Sequence, residues 1–197
     1  MNVDPDALDV DALDDAALVA LHLRGPPAAR QPAFATLMRR HKQSLYRLIV
    51  AQTGEPDEAL DLVQESFVSA HAALARYDPA RSLRAWLARI AINKCRDWHR
   101  RRRVRRLLTR VLPIEAAELV ADPAADTEAR AIGRDDLART LAGIARLPAA
   151  LREPLLLCGV DDLSHAEAAE ALGITTKAVE LRIRRARAAL AIDKGQA

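Results

Sequence analysis

The chain is poor in aromatic residues, with two Phe, two Trp and two Tyr among 197 positions. Strands draw on aromatic and β-branched runs. Their scarcity, set against abundant Ala and Leu, leaves little from which to build a sheet and favours an all-α fold. Cysteine is equally sparse: Cys95 and Cys158 are the only two, which excludes a disulfide framework and fits free thiols in a reducing compartment. Cys95 and His99 stand four apart on a helical pattern and could share a metal. Structural zinc takes four ligands, however, and no others are placed nearby, so neither a metal site nor a cofactor is expected. No apolar run approaches the roughly 20 residues needed to span a bilayer. The acidic N-terminus also lacks the basic and apolar regions of a signal peptide, so the chain is expected to be cytoplasmic with no membrane insertion.

What the chain does have is charge sorted along its length. The formal net charge of +3 hides this segregation. Residues 4–15 hold six aspartates and no base, residues 96–110 hold eight arginines against the single acid Asp97, and residues 111–136 hold seven acids against Arg130 and Arg134. A local basic stripe matters more to a polyanion than the total does.

Breaks in the hydrophobic periodicity divide the chain into two small helical domains on a flexible linker. Residues 1–28 read as an acidic, solvated N-terminal extension ending at Gly25-Pro26-Pro27, with room for one short helix from Leu13 to Leu23. Residues 29–108 read as a first helical domain with helices over 33–52, 57–76 and 82–106, broken at Gly54-Glu55-Pro56 and Asp78-Pro79. Residues 109–133, with Pro113, Pro123 and clustered acids, read as the linker. Residues 134–197 read as a second domain of four helices, separated near Pro148, at 159–164 and at Gly173.

The last two of these helices form a recognisable unit. Ser164 can cap a helix whose third following residue, Glu167, completes a capping box. Gly173 supplies the left-handed residue that ends this helix, and Thr175 or Thr176 can cap the next at once. In that last helix Val179, Ile183, Ala186 and Leu190 form a stripe toward a core, and Lys177, Leu181, Arg184, Arg185 and Ala188 lie opposite. Two helices across a tight turn, with a basic outer face, make a helix-turn-helix suited to a major groove. An ordinary helical hairpin with a solvated basic face has the same spacing.

The first domain carries two further surfaces. In its second helix Leu60, Val63, Phe67, His71 and Leu74 share a face, which makes His71 a packed core histidine. Glu58, Asp61 and Glu65 form an acidic stripe opposite, flanking an exposed Leu62. Such carboxylates could hold Mg²⁺ for a nuclease, but metal sites draw ligands from several elements, and a solvated face or a docking surface for a basic partner fits better. In the third helix Arg89, Asn93, Arg96, Arg100 and Arg103 follow one another along one stripe, able to bind phosphates and to read a base edge. Tyr77 and Trp86 flank the loop 78–82, where an unpaired base could stack. Both tryptophans could equally fill the core, the reading preferred for Trp98.

Three segments, Phe34 to His41, Asp57 to Phe67 and Leu83 to Asp97, resemble region two of bacterial RNA polymerase sigma subunits. The helix-turn-helix, with Leu147-Pro148 and Arg152 ahead of it and Arg182 to Arg187 within it, resembles region four. With nothing resembling region three between them, the arrangement is similar to the extracytoplasmic-function (ECF) group of the sigma-70 family.

The resemblance implies a sigma factor that binds core RNA polymerase and directs promoter recognition, DNA melting and transcription initiation, with no catalytic residues of its own. Glu58, Asp61, Leu62, Gln64 and Glu65 would dock on a coiled coil of the largest polymerase subunit. Tyr77, Arg81, Arg89, Asn93, Arg96 and Arg100 would engage the −10 element and a flipped base of the non-template strand. Thr175, Thr176, Lys177, Glu180, Leu181, Arg182, Arg184 and Arg185 would serve the −35 element. An anti-sigma factor is implied as a further partner. Where the family commonly has Gly-Thr-Val-Lys-Ser-Arg, this chain has Lys177-Ala178-Val179-Glu180-Leu181-Arg182, so promoter specificity does not transfer. Two other functions stay open from the residues alone: a stand-alone helix-turn-helix regulator, and an enzyme acting on nucleic acid through Glu58, Asp61 and Glu65.

Overall fold

The computed structural model describes residues 9–111 and 140–195. Among them every regular element is helical. Helix α1 spans Asp15–Arg24, α2 Pro27–Thr53, α3 Pro56–Ala73 and α4 Leu83–Val111, with a 3-10 turn at Leu74–Arg76 closing α3. The second body contains α5 (residues 140–146), α6 (Ala149–Gly159), α7 (His165–Leu172) and α8 (Thr176–Gly195). Most of the expected linker, from residue 112, lies outside the described residues, as do residues 1–8 of the expected extension. Residues 109–111 are the end of α4.

The extension is the largest departure from the sequence reading. Asp14 caps α1 by accepting from the Ala17 amide at 2.7 Å, and Leu18 and Val19 are fully buried against α2. The aspartates are engaged as well. Asp11 accepts from Thr36 and Arg39, while Asp15 accepts from Arg40 at 3.1 Å and His41 at 2.7 Å. Residues 11–24 are therefore part of the first body. Two of the acids that suggested a solvated tail, Asp11 and Asp15, pair with the basic face of α2, and the two apolar residues that follow them reach the core.

Helix α2 starts six residues earlier than the apolar spacing indicates, because Pro27 suits a first helical position. The entry is fixed from α1: His22 Nδ1 donates to the Arg30 carbonyl at 2.8 Å, and Arg30 Nε donates to that of Gly25 at 2.9 Å. Gly54 ends α2 with φ +73°, the left-handed conformation glycine adopts without a Cβ clash. Leu48, Ile49, Leu62, Phe67, Leu74, Ile92 and Trp98 fill the space between α2, α3 and α4.

Three positions in α3 are corrected. Leu62 is 2% exposed, and Leu60, expected inside, is 46% exposed. The buried face is rotated toward α4, whose Leu87, Ile92 and Trp98 supply the partners. His71 is exposed, its ring edge-on to Phe34 at 4.9 Å and to His22 at 5.0 Å, so it closes the outside of the α1–α2–α3 junction instead of packing in the core.

The second body wraps Leu156, Leu157, Leu163, Ala168, Val179 and Ile183 into a smaller core. It sits against α2 and α4 of the first body through a polar seam. Arg96 grips Glu153 with both ends of its guanidinium, at 2.7 and 2.6 Å. Ser82 donates to Glu167 at 2.8 Å, Ser44 donates to Asp161, and Arg84 lies 3.7 Å from Asp161.

Candidate nucleic-acid interface

Helices α7 and α8 have the geometry their sequence indicates. The Ser164 hydroxyl accepts from the Glu167 amide at 3.2 Å, and the Glu167 carboxylate accepts from the Ser164 amide at 2.9 Å, a complete capping box. The same carboxylate accepts from Ser82 and Ser164 hydroxyls, and these bonds hold its pKa below the usual range although burial opposes them. Gly173 turns the chain with φ +67°, and Thr175 caps α8 by accepting from the Ala178 amide at 3.2 Å. Val179, Ile183 and Ala186 then anchor α8 from beneath.

With that stripe buried, the opposite face has to be solvent-facing. Thr175, Thr176, Lys177, Glu180, Leu181, Arg184 and Arg185 are all exposed, and Arg182 is half-buried at the edge. Leu181 shows 36% of its surface, enough to meet a thymine methyl group. Glu180 stands 3.7 Å from His165 of α7.

On the first body, Glu58, Asp61, Gln64 and Glu65 are exposed along α3 as expected. Leu62 is beneath them and cannot meet a partner directly. Two of the acids have internal roles: Glu58 accepts from the Trp98 indole N–H at 2.9 Å, and Glu65 lies 3.5 Å from Lys94. Trp98 is buried, with Arg102 stacked 4.9 Å over its ring, so it belongs to the core, in keeping with its position beside an apolar stripe.

The α4 stripe is exposed at Arg89, Asn93, Arg96, Arg100 and Arg103, yet its members are not equally available. Arg96 is committed to Glu153, a pairing that raises its already high pKa, and Arg100 pairs with Asp97 at 3.0 Å. Arg81 is shared between Asp78 and Glu170, each at 3.5 Å. Tyr77 corrects the stacking expectation. Its ring is 9% exposed and packs at 5.2 Å on Trp86, while its hydroxyl donates to the Arg81 carbonyl. Burial pushes its phenol pKa up. Tyr77 thus fixes the shape of the 78–82 loop, and the half-buried Trp86 has the more accessible ring.

The seam between the bodies was not legible in the sequence. Arg152, 8% exposed, donates to Gln52 Oε1 at 2.9 Å and to the Ala145 carbonyl at 3.0 Å, and its guanidinium lies 3.1 Å from His99 Nε2, a nitrogen that is also 3.0 Å from the Gln52 carbonyl. Burial and the neighbouring Arg152 push the His99 pKa down. Cys95 is buried beside them, its thiol pushed up to about 12 by desolvation, which leaves it chemically inert. Among the described residues no three His, Cys, Asp or Glu side chains gather closely enough to hold a metal ion. Arg96, His99, Arg152 and Glu167 each carry a local signal in the sequence, but none that points to a partner across the seam. Gln52 and His99, the neighbours of Arg152, come from α2 and α4, 100 and 53 positions away.

A helix-turn-helix body docked on a helical body with an acidic face and an arginine stripe defines a two-part DNA reader of the transcription machinery. Comparison with known proteins gives its family. Residues 37–119 match Sigma-70 region 2 and residues 138–190 match Sigma-70, region 4. The chain is 41% identical over 162 residues to the RNA polymerase sigma factor NccH of Alcaligenes xylosoxydans xylosoxydans, covering 81% of this chain and 86% of NccH. It is 35% identical over 180 residues to the ECF RNA polymerase sigma factor SigM of Mycobacterium tuberculosis, covering 90% and 83%. The solved structure of CnrH in complex with the cytosolic domain of CnrY superposes with a TM-score of 0.68 at 32% identity, covering 92% of this chain and 97% of CnrH. Bartonella quintana RpoE, solved with the anti-sigma factor NepR, shares the fold with a TM-score of 0.60 at 24% identity, covering 80% and 93%.

The chain belongs to the sigma-70 family, as an ECF sigma factor built from regions two and four that directs transcription initiation. A match to region two across the first body leaves the stand-alone regulator without support. The family match gives no support to the nuclease reading of the α3 acids. Among the described residues no helix is long and apolar enough to cross a membrane.

Proposed function

We propose that Glu58, Asp61, Gln64 and Glu65 dock this chain on a basic surface of core RNA polymerase in the cytoplasm, with Leu62 acting from beneath as their support. Arg81, Arg89, Asn93, Arg96 and Arg100 then take the −10 element, and Trp86 and the loop braced by Tyr77 border the place where an extruded base is held. The exposed face of α8 takes the −35 element, with Lys177, Arg184 and Arg185 on phosphates or guanine edges and Glu180 and Leu181 setting selectivity. Two modest binding events on one tether reinforce each other through effective concentration. Holding an extruded base stabilises the open strand, and no covalent step falls to this chain.

The observation that carries this reading is the simultaneous display on one chain of the α8 face and the α3 acids, each backed by its own buried stripe. CnrH is solved with CnrY, and RpoE with the anti-sigma factor NepR. By that analogy an anti-sigma protein holds this chain until it is needed. The test is transcription from a promoter library by core polymerase with and without the purified chain. New start sites that depend on the chain are expected, and their absence together with absent core binding removes the proposal. Asp61→Ala with Gln64→Ala is expected to lower core affinity at least tenfold with an unchanged circular dichroism spectrum.

A further inference from the structure

Between α4 of the first body and α6 of the second lies a cleft of about 610 Å³ that the promoter-reading surfaces leave unexplained. Among the described residues six arginines line it, and Glu153 is the one carboxylate. Some are already engaged: Arg96 holds Glu153, Arg100 pairs with Asp97, and Arg102 with Glu55 at 2.6 Å. Among the described residues Arg103 and Arg152 are not paired with an acid. Arg103 lies exposed on the cleft wall. Arg152 is buried at its base, and its hydrogen bonds run to a side-chain amide and a backbone carbonyl, both neutral acceptors. Glu153 acts on its charge but is already held by both ends of Arg96, so a further anion offsets the cost of burying this guanidinium.

A second, independent feature lies at the same depth. Gln52 is 3% exposed and lines the cleft, and its Nε2 has no acceptor. The orientation is fixed, because Arg152 Nε is a donor and must face the carbonyl oxygen, leaving the NH₂ group turned away from it. An orphaned donor beside a buried cation whose acid neighbour is shared with Arg96 is an arrangement that accepts anionic oxygens.

We propose that this cleft binds a compact polyphosphate, a chain of two to four phosphates either free or carried by a small molecule, and that the bound anion ties α4 to α6. The cleft's volume falls within the range of small-molecule sites. A space of that size cannot admit a duplex, whose major groove alone is about 12 Å wide. Because Arg96 and Arg100 form one wall, occupancy withholds from DNA two of the arginines assigned above to the −10 element. That regulatory consequence rests on the proposed function, whereas the binding itself does not.

The experiment is calorimetric titration of the full chain with inorganic tripolyphosphate at fixed ionic strength, alongside thermal melts. Saturable one-to-one binding with a rise in melting midpoint is expected. Gln52→Glu keeps an acceptor for Arg152, replaces the orphaned donor with a carboxylate and is expected to weaken binding at least tenfold while the unliganded melting midpoint holds or rises. Arg103→Gln, at an exposed position that leaves folding untouched, is expected to weaken it several-fold. An equal response to sulfate at matched ionic strength overturns the proposal, as does undiminished binding by either variant. Equal affinity for a short single-stranded oligonucleotide of the same phosphate count, abolished in the same variants, also overturns it and makes the cleft part of the nucleic-acid surface. These readings use the free chain, so their failure is separate from a failure to support transcription with core polymerase.

Discussion

Individual side chains at the seam carry charges whose ionisation depends on docking. Asp161 is fully buried, and desolvation pushes its carboxyl up to about 6 from the usual 3.8, with Arg84 and Arg47 pulling the other way. A carboxyl raised in this manner binds its proton more tightly folded than unfolded. Its contribution is therefore most favourable below pH 3.8 and is lost as pH rises through about 6. His99 acts in the opposite sense, since burial and Arg152 lower its pKa: its contribution is present above its usual 6.5 and is lost as pH falls through its folded pKa. Asp161→Asn keeps the neutral form at every pH and retains an oxygen to accept from Ser44. We expect it to stabilise the chain at pH 7 by on the order of 2 kcal/mol and to flatten the wild-type decline between about pH 4 and 6. Urea midpoints at about pH 4.5 and 7 check this, and an unchanged pH profile would count against the burial argument.

At the scale of elements, α1 and α8 make the sharpest contrast. The helix-turn-helix could be read from Ser164, Glu167 and Gly173 because caps and turns are local, each satisfied within a few residues. Helix α1 could be anticipated as a short helix but not as a core element, since Leu18 and Val19 acquire meaning only when α2 lies across them. Leu18→Ala should then cost about 2–5 kcal/mol, as for a buried leucine, measured by urea unfolding. A cost within about 0.5 kcal/mol would return α1 to the status of an appendage. For α8, changing Arg184 and Arg185 together to alanine should weaken −35 binding. The slope of log affinity against log salt should fall by roughly 0.9 for each phosphate that is no longer neutralised. A slope equal to wild type would place those arginines on bases or in solvent.

For the whole molecule, the docked arrangement sets arginines at or beside the surface proposed for the −10 element against acids of the second body: Arg96 on Glu153, Arg81 near Glu170, Arg84 near Asp161. If the α4 stripe captures the promoter as proposed, at least the first of these has to open. Glu153→Ala removes the bidentate partner of Arg96 and should shift the population toward separated bodies. We expect a larger radius of gyration by small-angle scattering and a several-fold gain in affinity for a single-stranded −10 oligonucleotide. A compact variant with unaltered affinity would show that the seam does not compete with DNA.

By itself the sequence determined the helical class, the turn chemistry, the exposed face of α8 and the acids of α3, because each depends on periodicity or on neighbours within a few positions. The tertiary structure alone decided which apolar residue of α3 turns inward, Leu62 or Leu60, a choice made by α4 packing against it. Tyr77 likewise became a brace for its loop through the stacking of Trp86. The pairing of Gln52 with Arg152, and of Arg96 with Glu153, was also decided only there. Those pairings join residues far apart in the chain, and no local periodicity encodes which distant charge a buried one will meet.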